Sequence, residues 1–162
     1  MKIIVASLVS LALATPLMAE EEVSMVSTKR MTLYTAVQIA QAAIEECTKK
    51  GIQIGVSVVD REGIVQVTLR DTIAAQITVP ISQDKAYTAA NFNAATSSMA
   101  DRAGSPIGRQ PRLIMSAGGI PIQVGGALVG AVGVSGAPSG ETDEECAQAG
   151  IDAVQDDLEM AM

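Results

Sequence analysis

From Leu113 to Gly140 the chain carries no charged residue. A run of that kind is either a membrane span or the centre of a core. Gln123, two prolines and the pair Gly125-Gly126 at its middle argue against a spanning helix, because glycine and proline are the poorest helix formers. The run reads instead as two apolar strands around a Gly-Gly turn, whose positive φ angles a two-residue hairpin requires. Ile120, Ile122 and Val124 share one face of the first strand. The second strand is apolar almost throughout, as befits a central strand covered on both faces. Gly130 and Gly133 inside it mark a bulge or a close approach by a backbone or a ligand, tight packing being the simpler reading.

The N-terminus has a different character. Met1-Lys2 precedes an apolar run from Ile3 to Leu13, and Ala14-Thr-Pro-Leu-Met-Ala19 ends before acidic Glu20. A short positive end, an apolar segment and a small residue at the cut describe a secretory signal peptide over 1–19. Residues 20–31 read as a loose leader and 32–162 as one domain, long enough to bury a real core. The expected location is periplasmic or secreted.

Charge limits the partners. The chain has 11 basic and 18 acidic residues, a net charge of −7, and no histidine. No basic residue follows Arg112, whereas acids crowd Glu141 to Glu159. A nucleic-acid surface and an anionic membrane surface are both disfavoured. The absence of histidine removes imidazole acid–base chemistry and most transition-metal sites.

A first helix begins at Thr32, a capping residue, and ends before Gly51, with Lys49 and Lys50 in its last turn. Leu33, Val37, Ala40, Ile44 and Cys47 form its expected buried stripe. Ile52 to Asp60 is a strand in which Ile54, Val56 and Val58 share a face. Asp60-Arg-Glu-Gly63 is a turn, and Ile64 to Arg70 is the partner strand. A helix is expected from Ser82 to about Asn93, and a shorter one, capped by Thr96, over Ser97 to Ala103.

Gly104 to Arg112 is a loop to which Arg102, Arg109 and Arg112 give local positive charge. It is either simply solvated or built to capture a carboxylate such as a propionate, a task for which arginine's fork is suited. Thr142-Asp-Glu-Glu145 matches a capping box with Thr142 as cap, opening a last helix whose stripe is Ala147, Ile151, Val154, Leu158 and Ala161. The glycine-rich segment before it lacks the Gly-Lys-Ser/Thr ending of a phosphate loop, and its neighbouring acids repel phosphate. The acid-x-x-Glu spacing of Glu141 and Glu144 offers two carboxylates to a hard cation such as ferric iron, or is only a solvated acidic face at a helix N-terminus.

Helix, hairpin, helices, hairpin, helix is the order of an α+β domain: an antiparallel sheet built from two hairpins and flanked by helices. Five blocks in this order carry a resemblance as well: Val56-Ser-Val-Val-Asp-Arg-Glu-Gly63, Lys85-Ala-Tyr-Thr-Ala-Ala90, Gly118-Gly-Ile-Pro-Ile122, Val129-Gly-Ala-Val-Gly-Val-Ser-Gly136, and Asp143 with Ala149-Gly150. They resemble the GlcG/HbpS-type family, and Asn91-Phe-Asn-Ala-Ala-Thr96 is similar to its secreted haem-binding branch. The resemblance implies a helix-flanked sheet, a homo-oligomer (an octamer in that branch) and a tetrapyrrole ligand, haem or in relatives a corrinoid. It also implies Thr96 as a hydroxyl ligand to haem iron.

Chemistry restricts that picture. Haem iron is usually held by His, Cys, Met or Tyr, so without histidine the candidates are Tyr34, Tyr87, the cysteines, the methionines and Thr96. Lys85, Tyr87, Thr96, Arg102, Arg109 and Arg112 are the expected haem neighbours. Lys85 is equally readable as a structural residue paired with Asp60 or Asp84. Cys47 and Cys146 are either bridged, as export would favour, or two small buried residues. Two function classes follow: an exported haem-binding module, or an oligomeric accessory protein that binds another protein without a cofactor. No nucleophile–base pair marks an enzyme.

Overall fold

A computed structural model describes residues 24–162, so the export signal expected over 1–19 lies outside the described residues. Within the expected leader, Lys29 donates to the Ala161 carbonyl at 2.8 Å, Arg30 pairs with Asp60 and Glu62, and Met31 is buried in the core.

Thr32 caps α1 (Leu33–Lys49), its hydroxyl accepting the Thr35 N–H at 3.2 Å. The buried stripe is Ala36, Ile39, Ala40, Ala43 and Cys47, whereas Leu33 is 59% exposed. The expected stripe was therefore rotated, and the reason is steric. A later helix crosses α1 at Gly150, where a Cβ would lie only 2.6 Å from the Ile39 carbonyl oxygen. That approach selects the face of α1 with the smallest side chains over the face with the most apolar ones.

β1 (Gly55–Asp60) and β2 (Val65–Arg70) form the first hairpin. Asp60 closes its turn by accepting the Glu62 and Ile64 N–H groups, and Gly63 sits at φ 81°. β3 (Gly119–Val124) and β4 (Ala127–Ser135) form the second, around Gly125 and Gly126, both at positive φ as a two-residue turn demands. The antiparallel order is β2-β1-β4-β3, which makes β4 the buried centre of the sheet. Residues of α2 (Thr78–Phe92), namely Ala86, Ala89 and Ala90, cover Val59 and Ala131 on one face. On the other face Val56, Val58, Ile122, Val132 and Val134 pack under α1 and α3 (Gly140–Asp152).

α2 begins four residues before Ser82. Pro80 is the third helical residue, where the missing N–H has no intrahelical partner to lose. α3 also begins early. Its cap is Ser139, which accepts the Thr142 N–H at 3.2 Å, so Thr142 is inside the helix and Glu145 pairs with Lys50 at 2.6 Å rather than reaching back. Both serine and threonine cap well; packing of Gly140 against Ala117 favours the earlier start. The final helix is interrupted near Ala153, and α4 (Gln155–Met160) is a separate turn. Cys47 and Cys146 are bridged, with Cα atoms 5.6 Å apart, joining the end of α1 to the middle of α3. No described helix is long and apolar enough to cross a membrane.

A buried lysine–aspartate cleft and an arginine surface

Lys85 lies on the sheet-facing side of α2 and is 5% exposed. Its Nζ donates to the Asp143 carboxylate at 2.8 Å and to the Val134 carbonyl at 3.0 Å. Asp143, on the first turns of α3, also accepts the Ala137 N–H at 2.9 Å. Burial pushes the Asp143 carboxyl up from its ordinary range, and the Lys85 and Ala137 donors oppose that rise. Gly118 is what lets the lysine through. A Cβ there would collide with Nζ and stand 2.8 Å from the Val134 oxygen, and its φ of 125° suits glycine alone.

The sequence offered Lys85 either Asp60 or Asp84 as partner, and neither is correct. Asp60 is occupied by its own turn and Arg30, and Asp84 by Arg112 at 3.3 Å. In the sequence Asp143 stands only in the start of the final helix and in a block of the family resemblance, because nothing local couples it to a lysine 58 residues earlier.

The pair forms part of the wall of a cleft of about 380 Å³, which Ser97, Ser116, Ser139, Gly140 and Glu141 also line. The Glu141 carboxyl is held below the usual carboxylate range by its own backbone N–H and by the Ser139 hydroxyl. Glu144 accepts the Ser97 N–H at 3.2 Å. Among the described residues, no three His, Cys, Asp or Glu side chains gather as a metal cluster.

Thr96 is near this cleft but closed off from it. It is fully buried at the start of the short 3-10 helix Thr96–Arg102, and its hydroxyl accepts the Gly119 N–H at 2.9 Å. Within the chain it is a strut between that helix and β3.

Tyr87 and the arginines lie elsewhere. The Arg112 guanidinium stacks 4.0 Å from the centre of the half-buried Tyr87 ring, and Arg102 lies 5.2 Å from that of Phe92. Arg109 is exposed on the intervening loop and forms no ion pair among the described residues. Of the expected haem neighbours, then, Lys85 lines the cleft, Thr96 is buried behind its Ser97 wall, and Tyr87, Arg102, Arg109 and Arg112 are not among its lining residues.

This donor set fits haem only in part. The bridge removes both cysteines as iron ligands, and Met99 and Met115 are buried. The arginine surface suits propionates and the flat face of a macrocycle, with Tyr87 as its one phenol.

The chain as a whole is similar to known proteins. A family model described as haem degrading protein HbpS-like matches residues 31–152. A crystal structure of a double mutant of Streptomyces reticuli HbpS is 37% identical, with a TM-score of 0.77, covering 87% of this chain and 97% of its own. The PduOC:heme complex is 28% identical, with a TM-score of 0.71, over 77% of this chain and 95% of its own. An uncharacterized 15.0 kDa protein from Citrobacter freundii is 31% identical over 129 residues, which is 75% of this chain and 90% of that protein.

Proposed function

The chain belongs to the HbpS-like family, and on that footing we propose that it is an exported haem-binding protein, acting in haem sensing or scavenging. Binding of haem is supported by the family description and by the haem-complexed structural relative. The observation that carries the choice of surface is the stacking of Arg112 on Tyr87 and of Arg102 on Phe92. Aromatic backing holds each guanidinium in place, so less freedom is lost when it grips a propionate. Arg109 adds a third positive charge. Tyr87 is the iron donor in reach of this surface, and Thr96 is assigned no contact with the ligand. Bound haem would supply its own redox chemistry; the chain's part is to hold and orient it.

Export is supported by the apolar N-terminal run and by the Cys47–Cys146 bridge, since disulfides persist in oxidising compartments. Assembly into a homo-oligomer is supported by exposed Leu33, Ile64, Ile73 and Ile77, apolar side chains that a second copy would cover. A monomer by light scattering at micromolar concentration would remove the assembly.

Hemin titration tests the ligand. A saturable Soret shift is expected, weakened by about tenfold or more in Arg102→Ala/Arg112→Ala, the scale of one lost charge-assisted hydrogen bond. A band that forms and then bleaches with peroxide extends the function to degradation. No shift with hemin but one with a cobalamin would replace haem by a corrinoid. Flat titrations with both leave the cofactor-free accessory role.

A further inference from the structure

Arg112 has a φ of 68°, in the left-handed region that glycine fills at little cost and a residue with a Cβ rarely adopts. Strain of this kind persists only where the surroundings hold it. Here two residues of α2, one helical turn apart, do so. The buried Thr88 hydroxyl donates to the Asp84 carbonyl at 2.7 Å and accepts the Ile114 N–H at 2.9 Å. The Arg112 carbonyl lies 3.4 Å from the same hydroxyl oxygen. The Asp84 carboxylate takes the Arg112 Nε–H at 3.3 Å. The loop that began at Gly104 therefore returns to α2 with Arg112 turned over Tyr87, 4.0 Å from the ring centre. The first hairpin confines the ring as well: a Cβ on Gly63, in its turn, would lie 2.8 Å from the Tyr87 Cδ2 atom.

These contacts use only part of the guanidinium. Nε is bound to Asp84 and one face lies on Tyr87, while the two terminal nitrogens bond to no described residue, on a side chain that is 50% exposed. A carboxylate can grip arginine along the Nε–Nη edge or end-on across both Nη groups. Asp84 occupies the first and leaves the second. From the left-handed Arg112 backbone and its anchors on α2, we propose that Asp84 and Thr88 are positioning residues. They set Arg112 end-on to one propionate of the tetrapyrrole, an assignment that rests on the haem reading of the arginine surface. The long side chain is then ordered before the ligand arrives, and less freedom is lost on binding. Charge alone predicts the opposite role for Asp84. A carboxylate beside Arg112 repels a propionate, so a bystander there weakens binding, whereas a positioning residue strengthens it.

Hemin titrations of the purified chain, read at the Soret band, compare wild type with Arg112→Ala, Asp84→Ala, Asp84→Asn and Thr88→Val. Arg112→Ala should weaken hemin by about tenfold. Asp84→Ala should weaken it severalfold although a repulsive charge has gone, and Asp84→Asn, which keeps an acceptor for Nε, should recover most of that loss. Hemin dimethyl ester, which lacks the propionate charges, should bind wild type and Asp84→Ala alike. The Arg112 Nε–H resonance should be distinct in wild type and lost to solvent exchange in Asp84→Ala. Thr88→Val should weaken hemin and Thr88→Ser restore it. Urea unfolding of each variant separates lost folding from lost positioning, and the Asp84 variants carry the test if buried Thr88 tolerates no change. The positioning role is overturned if Asp84→Ala binds hemin as tightly as wild type or more tightly while Arg112→Ala weakens it; the arginine surface then still stands. It is equally overturned if Asp84→Ala weakens the ester as much as hemin. If Arg112→Ala leaves hemin affinity unchanged, the arginine surface itself falls and the positioning role with it.

Discussion

Lys85 and Asp143 stand 58 residues apart in the chain and 2.8 Å apart in the structure, with each side chain almost wholly buried. The contact ties α2, on one face of the sheet, to α3, on the other, past the end of β4. A buried pair of this kind is costly to halve. Lys85→Met strands the Asp143 carboxylate and should destabilise the fold by about 3–5 kcal/mol, while Lys85→Met/Asp143→Leu should recover most of that loss. Urea unfolding of the three proteins checks it. A double variant as unstable as the single one would show that the pair does more than neutralise itself.

The same pair has a pH signature. Desolvation is the largest influence on Asp143 and raises it from 3.8, against the pull of Lys85 and Ala137. The folded protein thus holds this proton more tightly than the unfolded chain does. Stability from the group is complete below 3.8 and is lost as pH rises through the folded-state value. Asp143→Asn abolishes the titration. The stability difference between wild type and variant should therefore move against the wild type as pH rises from 3.8 through the raised folded-state value, where the buried acid gives up its proton. Movement in the other direction would mean that the lysine outweighs burial.

Thr96 separates a structural role from a ligand role. Thr96→Val keeps the shape and removes the acceptor of the Gly119 N–H, leaving that buried group unpaired at a cost of about 1–3 kcal/mol. Hemin affinity, by contrast, should stay within about twofold, well under the tenfold that 1.4 kcal/mol represents. A stable Thr96→Val protein with a changed Soret spectrum would return the hydroxyl to the iron.

What was legible in the sequence was mostly local. The Gly125-Gly126 turn, the Thr32 cap and the central place of β4 each follow from residues within a few positions of one another. The cysteine bridge remained an open alternative, because it depends on how two distant helices pack. The α1 stripe was misplaced because periodicity registers apolarity, whereas the crossing at Gly150 selects small side chains. Asp143 was missed for a related reason. With 18 acids in the chain, no spacing rule selects the one that three-dimensional packing delivers to Lys85. Gly118 was quoted only as part of a motif, since the need for it arises from a side chain that crosses there.

The bridge between Cys47 and Cys146 spans 99 residues and fastens the end of α1 to the middle of α3. For a loop of about that length the chain-entropy model gives roughly 4–5 kcal/mol of stabilisation. Cys47→Ala/Cys146→Ala should lower the urea midpoint accordingly, and intact mass under denaturing, non-reducing conditions should show no free thiol in the wild type. Because Cys146 follows Asp143 by one helical turn, the variant should also broaden the α3 amide resonances. An unchanged midpoint would mean that the helix packing alone fixes this end of the domain.

Gly133 gives the sharpest test of how closely α2 lies on the sheet. It sits in buried β4, and a Cβ there would run into the Ser82 carbonyl oxygen and lie 2.5 Å from the Ala86 nitrogen. Both are backbone atoms of α2, so no rotamer change can make room. The helix would have to rise, opening the small cluster of Val59, Ala86, Ala89 and Ala131 and pulling Lys85 back from Asp143. Overpacking of this kind costs about 1–3 kcal/mol or more. Gly133→Ala should therefore lose stability and, through Lys85, the pH dependence assigned to Asp143. Gly126→Ala is the control for lost turn conformation alone, because a Cβ at that position meets nothing within 4 Å. If both variants unfold at the same urea concentration, the close approach of α2 contributes little beyond an ordinary glycine effect.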